Sequence, residues 1–293
     1  MAIKVNPARR AFVVFNYVFC ILIGLLCVIP VLHILAVSLS GKDAIISSRV
    51  ILWPVDTNFD NYRILLRDGQ FFRSFRLTIL RAVAGWCVSM IATVLASYPL
   101  SMKKSQFPAR QAFVIYFMII MLFNGGMIPT YLVIKDIGLL DTLWVLLLPC
   151  AVSTYNIILM MNFMKALPEA LSESAFIDGA GHFRTLFSII LPLCLPSIAT
   201  ISLFIVLSHW NAWFDGMIYI TNENLKPLQT YLRSVLIVDS GVENLSLEDT
   251  MENVTADGAN AAKIFVVMLP IMCVYPFLQK HFAKGIIRGS VKE

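Results

Sequence analysis

The chain has 293 residues, of which 58% are hydrophobic and only 14% charged, with a formal net charge of +5. A mean hydropathy of +0.78 excludes an ordinary soluble domain, in which about a quarter of residues are charged. Charge this sparse leaves long uncharged runs, and the runs define the predicted elements.

In chain order, uncharged stretches occupy residues 11–37, 82–102, 111–134, 142–164 and 185–214. Each is long enough for a helix of roughly 20 residues to cross about 30 Å of hydrocarbon. A sixth, 264–279, is short, but it extends back through 258–262 if Lys263 snorkels to the interface. Backbone in lipid must satisfy its own hydrogen bonds, and the short alternating strands of a barrel are absent. The expected class is an all-α integral membrane protein with six transmembrane helices. The first stretch is expected to be a retained helix, since it is too long for a signal peptide and no A-x-A site follows it.

Helix 2 is expected over about 76–98, stopping at Pro99, and helix 3 from about Gln111, broken by Asn124-Gly125-Gly126 and Pro129. Helices 4 and 5 fall at about 142–162 and 191–210. The basic residues Lys4, Arg9, Arg10, Lys103, Lys104, Arg110, Lys280, Lys284, Arg288 and Lys292 then share one side, which the positive-inside rule makes cytoplasmic, with both termini. The basic excess therefore reads as topology, and no nucleic acid is expected as a partner. This divides the chain into a cytoplasmic tail (1–10), a membrane domain (11–280) and a second cytoplasmic tail (281–293). Outer loops cover about 38–75, with a short surface helix within 58–72, and about 211–263, which is acidic; a cytoplasmic loop covers 165–190.

Polar residues in the apolar runs are few. Arg81, near the outer end of helix 2, is a candidate for the path of an anionic substrate, although snorkelling is the preferred reading. Trp210 and Asn211 close helix 5, where an aromatic belt and a sugar path suit them equally. Tyr155, Asn156 and Asn162 are expected to bond between helices, His33 to be a satisfied polar residue, and Asn124 to lie in a broken helix lining a cavity; Asn124, Tyr155 and Asn156 join Arg81, Trp210 and Asn211 as candidates for a substrate path. The six cysteines lack metal-site spacing and read as small buried hydrophobes, so no metal site is expected.

The 165–190 loop carries the strongest signal. Pro168 and Glu169 suit a helix start, Asp178-Gly179-Ala180-Gly181 breaks it, and a second helix begins at His182. Glu173, Ala175, Gly179, Ile189, Leu191 and Pro192 are spaced as Glu-Ala-Ala, three residues, Gly, nine residues, Ile, one residue, Leu-Pro, with Ser174 in place of the first Ala. This resembles the EAA motif of permease subunits in binding-protein-dependent ABC importers, and the match is too long for ordinary turn punctuation. Asn124–Tyr131, Trp210-Asn211 and Pro227-Leu228-Gln229 look like the oligosaccharide branch, which includes carriers of uronates such as pectin and alginate fragments.

The resemblance implies the ABC importer permease fold, in the cytoplasmic (inner) membrane of a bacterium. It implies a second homologous permease subunit, two ATPase subunits that bind ATP and Mg²⁺, an extracytoplasmic solute-binding protein and an oligosaccharide substrate. It also makes Glu173 a polar anchor, Ala175 a small contact residue and Gly179 the turn of a lever docked on the ATPase, with Ser174, Asp178, Ala180 and Gly181 beside them. The chain has no G-x-x-x-x-G-K-[ST] sequence, so no cofactor and no catalysis are expected in it. The alternatives are an ion-coupled secondary transporter of a small polar solute, or a membrane enzyme. Against the first, no Asp or Glu lies in the six runs; against the second, H-E-x-x-H and G-x-S-x-G are both missing.

Overall fold

A computed structural model describes residues 7–123, 125–239 and 254–289. Among them there is no strand. Helices α1 (Pro7–Ser38), α2 (Lys42–Ile46), α3 (Asp60–Arg67) and α4 (Gly69–Ser101) come first. They are followed by α5 (Arg110–Leu122), α6 (Met127–Asp136), a 3₁₀ turn (Leu143–Leu146) and α7 (Thr154–Lys165). The short helices α8 (Ala170–Ile177) and α9 (His182–Thr185) lead through a π turn (Leu186–Ile190) to α10 (Leu191–Leu193) and α11 (Leu195–Asn211). Helices α12 (Phe214–Tyr219), α13 (Leu228–Asp239) and α14 (Ala256–Gly289) complete the order.

Three helices are long and apolar enough to cross a membrane unaided: Arg9–Ser38, Gly69–Ser101 and Ala256–Pro276. Two bent pairs have the length and composition of a broken span or a re-entrant loop: α5 with α6, and the His182–Leu193 run with α11, the latter bent by 84°. Pro192 and Pro196 flank that bend and remove the backbone donors that would carry the helix straight through. The fourth expected helix is different. The chain is irregular from 147 to 153, and α7 starts only at Thr154, where the Ser153 hydroxyl accepts the Asn156 N–H. Pro149 and a serine cap outweigh the apolar composition of that run. Helix α4 begins seven residues ahead of expectation and carries Pro99 inside its last turn.

The chain divides into two compact units: residues up to Gly69 with Val235–Leu269, and Gln70–Ser234 with the chain from Pro270. In the first, Ala36, Ala44 and Val50 form a small core under the α1–α2 turn. Ser40 Oγ donates to Ala36 O and accepts from Val55 N at 3.0 Å, and Asn61 Nδ2 donates to Ser38 O, which fixes α3. His33 Nδ1 lies 2.6 Å from Ile51 O, a satisfied polar group as expected. Lys263 does not snorkel: its Nζ pairs with Asp68 at 3.1 Å, and both side chains are largely buried. Helix α14 therefore starts before it, at Ala256. The apolar side chains of α1 are exposed from Phe12 to Leu32, a surface suited to hydrocarbon or another subunit.

In the second unit, Met90, Val94 and Tyr98 of α4 pack with Met160 and Met164 of α7 and with Leu186, Ile190, Cys194, Ile201 and Ile205. Helix α4 buries a polar face of Ser74, Thr78, Arg81, Gly85, Ser89, Thr93 and Ser97, each three or four residues from the next. Small residues along a face let helices approach closely. At Gly85 a Cβ would stand 2.4 Å from His209 Nε2 of α11, so only glycine fits there. Ser97 Oγ donates to Ile157 O of α7 at 3.0 Å and makes the interhelical bond that Tyr155, Asn156 and Asn162 were expected to supply. The cysteine expectation fails as well: Cys194 is buried, but Cys20, Cys27, Cys87, Cys150 and Cys273 are exposed, because an apolar run in a membrane protein need not face its own core.

Candidate functional site

The 170–185 segment folds as two short helices around a glycine turn. Helix α8 ends at Ile177, and Gly179 adopts φ +80°, a conformation that costs an L side chain strain. Gly179 N donates to Phe176 O at 3.1 Å and Ala180 N donates to Ala175 O at 2.9 Å, so the two form a Schellman stop. Gly181 caps α9, whose Thr185 Oγ1 returns to Gly181 O at 3.1 Å. Glu173, Ser174, Asp178, Gly179 and Gly181 are exposed and Ala180 is half-buried. Ser174 Oγ donates to Ala170 O at 2.6 Å. Ala175 is only 5% exposed, so its smallness serves packing within the chain rather than contact with a partner.

Among these exposed polar groups the pair also presents large apolar side chains. Ile177 is 86% exposed and Phe183 72%, with Phe187 beside them on the π turn. The segment is tied to the rest of the unit. Lys103, in the turn after α4, pairs with Glu169, which holds the lysine above its usual range. His182 stacks edge-on against Phe176 at 5.0 Å, and its Nδ1 lies 3.3 Å from Tyr98 Oη. The sequence signals did not single out Lys103 or Tyr98 as partners of this segment, because neither lies in the motif.

The expected path residues are not all brought together. Arg81 is fully buried and does not snorkel. Its guanidinium forms an ion pair with Asp215 and donates to Ala212 O at 3.4 Å, while Nε has no partner. Asp215, expected to be one acid among many in a loop, is the counter-ion. Trp210 is 5% exposed, its ring edge-on to Phe75 at 6.0 Å, so it is neither an interfacial belt residue nor open to a path. Asn211 is exposed at the end of α11. Tyr155 is exposed, tilted on Phe204 at 6.1 Å, and Asn156 is buried. Asn124 lies outside the described residues. No group of His, Cys, Asp and Glu among the described residues could hold a metal ion.

Elsewhere Asp141 clamps two loops: its carboxylate accepts from Thr221 N at 2.6 Å, Asn222 N at 2.9 Å and the Thr221 hydroxyl. These donors, the Thr221 hydroxyl foremost, hold its pKa below the usual carboxylate value. A depressed folded pKa gives stability that is present above the unfolded value and lost as pH falls through the folded one. Asp141→Ala should therefore lower Tm at neutral pH, and the gap to wild type should close as the pH is brought down through the carboxyl range. A gap independent of pH would contradict the clamp.

Continuous and bent apolar helices of this length define a polytopic membrane protein. The chain belongs to the family of binding-protein-dependent transport system inner membrane components, whose model matches residues 81–288. It is 38% identical over 285 residues to the polygalacturonan/rhamnogalacturonan transport system permease protein YtcP of Bacillus subtilis (strain 168), covering 97% of this chain and 99% of that one. Protein LplC of the same organism is 39% identical, with 98% and 97% covered. Among solved structures, a bacterial ABC transporter involved in the import of the acidic polysaccharide alginate superposes with a TM-score of 0.88 at 33% identity, covering 94% of this chain and 98% of that one.

Proposed function

We propose that this chain is one of two homologous permease subunits of an ATP-driven importer, and that its cargo is a uronate-containing oligosaccharide. The observation that carries the reading is the lever at 170–185: two short helices around Gly179, with Ile177 and Phe183 exposed as a docking face for an ATPase. Six spans follow if the 3₁₀ turn, the irregular 147–153 run and α7 together make the broken fourth one. Both termini and the lever then face the cytoplasm, and the 38–75 and 211–263 segments face outward to receive a solute-binding protein. ATP closes the ATPase pair, which through the lever favours the outward-facing state; the loaded binding protein biases the same equilibrium. A uronate cargo is supported by the polygalacturonan and rhamnogalacturonan in the name of YtcP and by the acidic polysaccharide alginate of the structural neighbour. The test is uptake of labelled oligogalacturonate by the native host with and without this chain. Loss on deletion, restored by the wild-type chain, is expected; undiminished uptake would contradict the reading.

A further inference from the structure

We propose that Ile51-Leu52-Trp53 is an interfacial membrane anchor, an exposed apolar tip whose partner is the lipid leaflet at the far end of α1. The inference goes beyond the import reading and needs only that α1 crosses the bilayer. The fold holds this tip out. Before it, Val50 is buried with Ala36 and Ala44 in the small core under the α1–α2 turn. After it, Val55 is pinned twice: its N–H donates to Ser40 Oγ at 3.0 Å, and its carbonyl accepts from Gly41 N at 3.1 Å. Ser48 and Asp56, both at φ +53°, turn the chain on either side. Between these fixed points Ile51 is 70% exposed and Trp53 82%, with Leu52 exposed between them. Consecutive apolar side chains that cannot fold inward mark a surface for a partner.

The depth of the tip says which partner. Arg10 is the last charge before the apolar run of α1, and His33 Nδ1 near the other end of that run meets Ile51 O at 2.6 Å. From Arg10 to His33 a helix rises about 35 Å, close to the thickness of the hydrocarbon layer. Ile51 therefore stands at the far boundary of that layer, next to the apolar side chains of α1 that are exposed as far as Leu32. The tip continues that apolar surface. Trp53 has an apolar ring with a single N–H, the amphipathic form that gathers between hydrocarbon and water. The exposed Arg49 and Asp56 flank the tip with charge suited to the headgroup layer. A solute-binding protein approaches through water, beyond the headgroups. The assignment therefore takes only residues 51–53 out of the 38–75 segment that receives it.

The test reads the fluorescence of Trp53 in the whole importer in nanodiscs, taken as the difference between wild type and Trp53→Phe. Two quenchers are compared: phosphatidylcholine brominated on its acyl chains close to the headgroup, and iodide in the water. Brominated lipid should remove most of the Trp53 emission, and iodide should remove little. Trp53→Tyr supplies the same difference if Trp53→Phe fails to assemble. Strong quenching by iodide with little loss to brominated lipid would put the tip in water and overturn the proposal. Iodide quenching that is relieved by added solute-binding protein would give the tip to that protein, with the same consequence. Resistance to both quenchers would place the tip under another subunit and would also overturn the assignment to lipid.

Discussion

Asp215→Ala should destabilise the protein by about 3–5 kcal/mol, the cost of leaving a buried charge without its partner. The Arg81 side chain is 0% exposed, and its Nε already lacks a hydrogen bond, so nothing nearby can replace the lost carboxylate. The double variant Arg81→Met with Asp215→Leu should recover most of the loss, because an apolar pair of similar volume often equals or exceeds a buried ion pair. Thermal unfolding of the detergent-solubilised protein reads both. Single and double variants with the same Tm would mean that the pair does not hold the α4–α12 contact.

Gly179→Val should abolish transport while the membrane domain still folds and assembles. Gly179 sits at φ +80°, where a β-branched residue pays about 1–3 kcal/mol of backbone strain. No neighbouring atom lies within 4 Å of the Cβ that would be added, so the effect is on backbone direction and not on packing. Relief of the strain would break the bond from Ala180 N to Ala175 O and change the angle between α8 and α9. Gly179→Asn, which tolerates the left-handed region, should be milder. Transport and assembly are read separately, by uptake and by gel filtration of the complex. A Gly179→Val protein that transports at the wild-type rate would sink the lever assignment.

The two short helices and the glycine turn at 170–185 were legible in the sequence because their signals are local. Helix start, glycine stop and second helix fall within twenty residues, and the Schellman bonds join residues five positions apart or fewer. The break in helix 3 was legible for the same reason, since Gly125, Gly126 and Pro129 act where they stand. The Arg81–Asp215 pair was not. Its partners are 134 positions apart, and each alone has a bland explanation, an interfacial cation and a loop acid. The same blindness left Trp210 undivided between an interface and a sugar path and left Lys263 to snorkel, when both are settled by tertiary neighbours. Helix 4 misled in another way: apolar composition from 142 to 164 matched a span, but Pro149 and the Ser153 cap decide where hydrogen bonding begins.

The most direct measurement is to purify this chain from its native membrane in mild detergent, identify what accompanies it, and assay ATP hydrolysis. An importer permease should bring down a second permease and an ATPase, with hydrolysis stimulated by the sugar-loaded binding protein. A chain recovered without an ATPase, yet moving solute in liposomes under an ion gradient, would contradict the account.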